Sequence, residues 1–83
     1  MDFFFAPSAL KQFKKLPREV QKRIFEKMEF FCTQDDPLDF AETVKDSRLG
    51  SYRFHVGDYR VIIDLEKPGI AILAVDHRKD IYR

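Results

Sequence analysis

Two spacings of apolar residues divide the 83-residue chain. It opens on Phe3-Phe4-Phe5-Ala6, an aromatic run stopped by Pro7. That run is too short for a helix and predicts a buried first strand. Leu10, Phe13 and Leu16 follow at helical spacing, with Ser8 as the expected N-cap. Pro17 stands where a second helix begins, at a position where a missing N–H costs nothing. Val20, Ile24, Met28 and Phe31 then form one apolar stripe on a helix of about four turns. The two helices read as a hairpin joined at Leu16-Pro17. The second should end near Cys32-Thr33, because Gln34-Asp35-Asp36-Pro37 is loop chemistry. Residues 34–50 read as an irregular acidic connector, with a short helical turn around Leu38 to Val44.

From Tyr52 the period becomes two. Tyr52, Phe54 and Val56 alternate with Arg53 and His55. Gly57-Asp58 is a two-residue turn of the kind that closes tight hairpins. Tyr59, Val61, Ile63 and Leu65 alternate with Arg60, Ile62 and Asp64. Lys67-Pro68-Gly69 predicts a second turn, and Ile70 to Val75 a near-continuous apolar strand inside the sheet. Residues 76–83 read as a polar tail able to form one turn of helix. The predicted order is β-α-α-β-β-β, an α+β domain over residues 1–83 with a helical hairpin packed on a small sheet.

Composition narrows the class. Apolar residues make up 45% and charged residues 35%, the balance of a globular domain. No apolar run is long enough to span a bilayer, and no basic n-region opens the chain, so a cytoplasmic protein is expected. A single cysteine, Cys32, excludes a disulfide framework and falls beside Phe31 as inert core. Two histidines and carboxylates at no ligand spacing predict no metal and no cofactor. The formal charge is only +1, but it is segregated: residues 1–33 carry +3, residues 34–46 carry −4 and residues 47–83 carry +2. Arginine dominates the last block, and its planar fork suits bidentate phosphate contacts.

The hairpin arithmetic locates the candidate chemistry. A turn at Gly57-Asp58 pairs Val56 with Tyr59, His55 with Arg60, Phe54 with Val61 and Arg53 with Ile62. Directly paired residues share a face. Tyr52, Phe54, Val56, Tyr59, Val61 and Ile63 therefore face the helices, and Arg53, His55 and Arg60 share the other, open face. Two fixed cations and a histidine can serve an anion there; equally, Arg53 and Arg60 can pair with Asp64 and the connector acids. On spacing alone both readings stand. With Arg78 and Tyr82, which share a face if the tail is helical, an Arg, His, Tyr and Arg cluster can cleave RNA without metal, Tyr82 serving as acid, base or stacking platform. The ribose 2′-OH attacks the adjacent phosphate, a base takes its proton, an acid protonates the leaving oxygen and arginines stabilise the developing charge. Neighbouring arginines should lower the pKa of His55 and favour a neutral base.

At these residues the chain resembles the RelE/ParE toxin superfamily. The likeness is carried by Y-R-x-x-V-G-D-Y-R-V at 52–61, by H-R-x-D-I-Y at 77–82 and by APSALKQFKKLPREVQKRI at 6–24 with its Leu-Pro joint. The resemblance implies a compact RelE-like microbial ribonuclease fold with a curved, mainly antiparallel sheet. It implies the toxin of a type II toxin–antitoxin pair, and for the RelE branch a ribosome-dependent mRNA endoribonuclease. The implied catalytic residues are His55, Arg60, Arg78 and Tyr82, with Arg53 and Arg60 on RNA phosphates; His77 and Lys79, beside them in sequence, are expected to add further phosphate contacts. Arg53 cannot deprotonate, so the base is His55 or Tyr82. Implied partners are a cognate antitoxin, the ribosome and its mRNA, and operator DNA through the antitoxin; no membrane is implied. Two further readings accompany this one: a ParE-like toxin that inhibits DNA gyrase, and an inactive antitoxin-binding relative.

Overall fold

A computed structural model describes residues 1–43, 52–66 and 69–77. Its elements are β1 (Asp2–Phe5), α1 (Pro7–Lys14), α2 (Arg18–Cys32), a 3-10 turn (Pro37–Phe40), β2 (Glu42–Thr43), β3 (Tyr52–Val56), β4 (Tyr59–Glu66) and β5 (Gly69–His77). The sheet order is β1-β5-β4-β3-β2, with β1 parallel to β5 and every other pair antiparallel. The fold is α+β, two helices on a mixed five-stranded sheet.

The helical hairpin forms as its residues dictate, with one correction. Ala6, extended at φ −63° and ψ 153°, is the N-cap, and Pro7 takes the first turn of α1. Ser8 therefore lies inside the helix. The fixed φ of proline is already helical, so the helix starts one residue before the expected hydroxyl cap. Gln21 locks the joint between the helices. Its Nε2 donates to the carbonyls of Leu16 (2.8 Å) and Lys14 (3.3 Å), satisfying acceptors that the end of α1 leaves open. α2 ends at Cys32 without a glycine; Thr33 N–H and Oγ1 donate to Phe30 O instead.

The helices cover one face of the sheet, α1 against β5 and α2 against β1 and β3. Ile24, Met28, Phe31 and Cys32 of α2 are buried against Phe54, Val56, Val61, Ile63, Ile70, Ile72 and Val75. Phe54 stacks on Phe31 with ring centroids 4.2 Å apart and planes 15° from parallel. Burial pushes the Cys32 thiol pKa up, as an inert core cysteine requires.

The β3–β4 register is the one that the two-residue turn dictates, and Gly57 supplies the positive φ of 60°. β5 carries a bulge. Ile62 pairs with Ala74 but Ile63 pairs with Ile72, leaving Leu73 as the extra residue. The bulge lets Ile72 and Val75 both reach the core, and it is accommodated by α1: Val75 N–H donates to Gln12 Oε1 at 2.9 Å. At the other end of β5, a Cβ on Gly69 would lie 2.8 Å from Asp2 O, so glycine permits the close approach of β1.

The connector differs from expectation. Its turn comes earlier, at Pro37–Phe40, with Asp36 Oδ1 accepting from Leu38 N–H at 3.1 Å. Phe40 packs on Phe30 and Phe31 with centroids 5.7 and 5.5 Å away. That anchor delivers the chain to β2, which pairs Glu42 with Arg53 and Thr43 with Tyr52. Asp76 and His77, read as the start of the polar tail, belong to β5. The turn at Lys67-Pro68, the connector after Thr43 and the tail from Arg78 lie outside the described residues.

Candidate active site

The register assembles His55, Arg60 and Asp76 as one row across β3, β4 and β5, with Arg53 and Ile62 paired in the row two residues along. Arg53, His55 and Arg60 thus share the face away from the helices. With Glu42, Gly57 and Asp58 they line a cavity of about 290 Å³.

Arg60 corrects the picture of an open face. It is only 4% exposed, and its Nε and Nη1 are shut off from solvent. Ile62, Ala71 and Ala74, on the same face by alternation, are buried as well. The open part of this face is its β3 margin, where the side chains of Arg53 and His55 are 27% and 41% exposed. A cation held in a site poor in water acts on a ligand more strongly than one in bulk solvent.

Glu42 is the residue that sequence reasoning did not single out. Its Oε2 accepts from Arg53 Nε at 3.0 Å and Nη2 at 2.8 Å, and its Oε1 lies 3.3 Å from His55 Nε2. The Arg53 hydrogen bonds, and then the His55 one, hold its carboxyl below the ordinary glutamate value of 4.5. His55 is therefore not in the purely arginine surroundings expected of it. With Nε2–H given to Glu42, a neutral imidazole keeps Nδ1 as its proton acceptor. The signal for Glu42 is the acidic connector, whose carboxylates are candidate partners for Arg53. A two-residue strand has no periodicity from which its register could be read.

His77 is not brought to the site. It pairs with Tyr59, on the face of Val56, and its ring meets the Tyr59 ring edge-on at 5.1 Å. Strand alternation turns it away from Arg60 once β5 runs through to His77. Arg78, Lys79 and Tyr82 lie outside the described residues. Among the described residues no group of three or more His, Cys, Asp or Glu side chains is arranged to hold a metal ion, and no helix is long and apolar enough to cross a membrane. What the described site offers is a buried cation, a second cation on the rim, an imidazole that can exchange a proton, and a carboxylate between the last two.

Known proteins share this plan. The family model for the ParE toxin of type II toxin–antitoxin systems matches residues 3–82. Toxin RelG of Mycobacterium tuberculosis is 32% identical over 81 residues, covering 95% of this chain and 92% of RelG. Among solved structures, the RelB–RelE antitoxin–toxin complex of Methanococcus jannaschii contains a chain that is 28% identical. It superposes with a TM-score of 0.73 over 95% of this chain and 94% of that one. A chain of the RelBE2 toxin–antitoxin complex of M. tuberculosis shares the fold at a TM-score of 0.76 and 24% identity, covering 93% of this chain and 96% of its own. With the helical hairpin, the sheet order and the match along almost all of its length, this chain belongs to the RelE/ParE superfamily of type II toxin–antitoxin toxins.

Proposed function

We propose that this toxin is a metal-independent, ribosome-dependent mRNA endoribonuclease. The observation that carries the reading is the cavity where Arg60, buried, stands with Arg53 and His55 on one face of the sheet. In the proposed step the ribose 2′-oxygen attacks the adjacent phosphorus as its proton passes to a base. The bond from phosphorus to the 5′-oxygen breaks, and an acid protonates that oxygen. The products are a 2′,3′-cyclic phosphate and a 5′-hydroxyl. Arg60 and Arg53 counter the charge that builds on the phosphoryl oxygens. His55, through Nδ1, serves as proton acceptor or, once protonated, as donor. Arg78 and Tyr82, which follow β5 in sequence, complete the set as a further phosphate contact and a second proton-transfer group. His77, turned to Tyr59, is assigned no role, and Lys79 is retained as an RNA contact.

A small antitoxin is the proposed partner, because the solved proteins that share this fold include toxin–antitoxin complexes. Contact with operator DNA would come through the antitoxin. The second reading is gyrase inhibition, favoured by the match to a family model described as the ParE toxin.

The test is a cell-free translation reaction with a defined mRNA, read by primer extension. The wild type should produce discrete ribosome-dependent cuts with cyclic-phosphate ends. His55→Ala, at an exposed position, should fold normally and lose roughly 10²- to 10⁴-fold in cleavage rate. Full cleavage by His55→Ala would remove His55 from the mechanism. Intact mRNA with the wild type would remove the nuclease reading.

A further inference from the structure

Glu42 occupies more of the site than an edge-strand carboxylate needs to. Its two oxygens are divided between two donors that the proposed mechanism requires: Arg53 on Oε2 and His55 on Oε1. A guanidinium fork and an imidazole N–H also form a donor set for the two non-bridging oxygens of a phosphodiester, because carboxylate and phosphate offer two oxygens in a similar geometry. We infer that Glu42 is a resident anion, holding the Arg53–His55 pair until a phosphodiester of the RNA exchanges with it. The inference rests on the reading of this cavity as an RNA phosphate site, and it makes Glu42 a residue that sets what the site accepts. An uncharged group cannot compete for the pair; an anion with two oxygens can.

Two features favour exchange over a permanent ion pair. The side chains are exposed, 55% for Glu42, 27% for Arg53 and 41% for His55, and ion pairs this open to water are held weakly. The strand that carries Glu42 is two residues long and lies at the sheet edge, joined to β3 alone. Arg60, in contrast, is buried in the same cavity and stays in place as Glu42 leaves.

The experiment is an NMR titration of the purified toxin with a 2′-O-methyl dinucleoside phosphate, which cannot be cleaved. The readout is the His55 imidazole signals in every protein and the Arg53 Nε–H signal where Arg53 is present. At about 0.15 M salt, long-range charge effects are screened over roughly 8 Å. Glu42→Gln should bind about two- to fivefold more tightly than wild type, and Arg53→Ala roughly tenfold more weakly. Glu19→Gln removes an exposed carboxylate from α2, on the opposite, helix-covered side of the sheet, and should leave the affinity nearly unchanged. Equal affinity for wild type and Glu42→Gln would overturn the exchange while leaving the phosphate site standing, and so would an equal gain from Glu19→Gln. If the two signals move in none of the proteins, the phosphate-site reading fails and the exchange fails with it.

Discussion

Arg53, His55 and Glu42 show how single residues set the electrostatics of this site. Arg53 and His55 come from alternate positions of one strand, so their side chains leave the sheet on the same side. Glu42 comes from the acidic connector and meets both. Its hydrogen bonds, mainly to Arg53, favour the charged carboxylate, so its folded-state pKa is depressed. The interaction is therefore complete above the ordinary glutamate value and is lost as pH falls through the lower, folded value. A carbon-detected NMR titration should place the Glu42 midpoint below 4.5 in the wild type and return it toward 4.5 in Arg53→Ala. A wild-type midpoint at or above the ordinary value would mean that the Arg53–Glu42 contact is not held in solution. Which acid would partner Arg53 was not legible beforehand. The connector offers five carboxylates, and only the pairing of β2 with β3 selects Glu42.

At the scale of elements, the site depends on how β5 is held. The bulge at Leu73 shifts the register so that Asp76 lies opposite Arg60, and Gln12 of α1 accepts the Val75 N–H beside it. Gln12→Ala would leave that partly buried donor without its acceptor, at a cost of about 1–3 kcal/mol. Urea denaturation should show the loss, and Gln12→Glu, which keeps an acceptor oxygen, should recover most of it. An unchanged midpoint for Gln12→Ala would show that the contact contributes nothing. The β3–β4 hairpin could be paired residue by residue in advance, because period-two alternation and a two-residue turn leave a single register. The helical hairpin was legible for the same kind of reason: Ile24, Met28 and Phe31 repeat at helical spacing and all are buried. Two elements were misread because their determinants are not periodic. α1 starts at Pro7 through proline's fixed φ, and β2 exists only through its pairing with β3.

Across the molecule, the described residues combine a helix-covered core with a second sheet face that is only partly open. Alternation identified that second face but not its burial; Arg60 lies there among Ile62, Ala71 and Ala74, all of them shielded. The consequence is a division of labour between the buried cation and the exposed rim of Arg53, His55 and Glu42. Binding to gyrase has no need of a proton-transfer group beside a buried arginine, whereas cleavage of a phosphodiester uses both. Two assays on the same purified toxin separate these activities most directly: primer extension of a translated mRNA, and supercoiling of a plasmid by DNA gyrase. A ribosome-dependent nuclease gives new mRNA ends that appear only with ribosomes, and leaves supercoiling unaffected at the same toxin concentration. Intact mRNA together with inhibited supercoiling would contradict the nuclease reading.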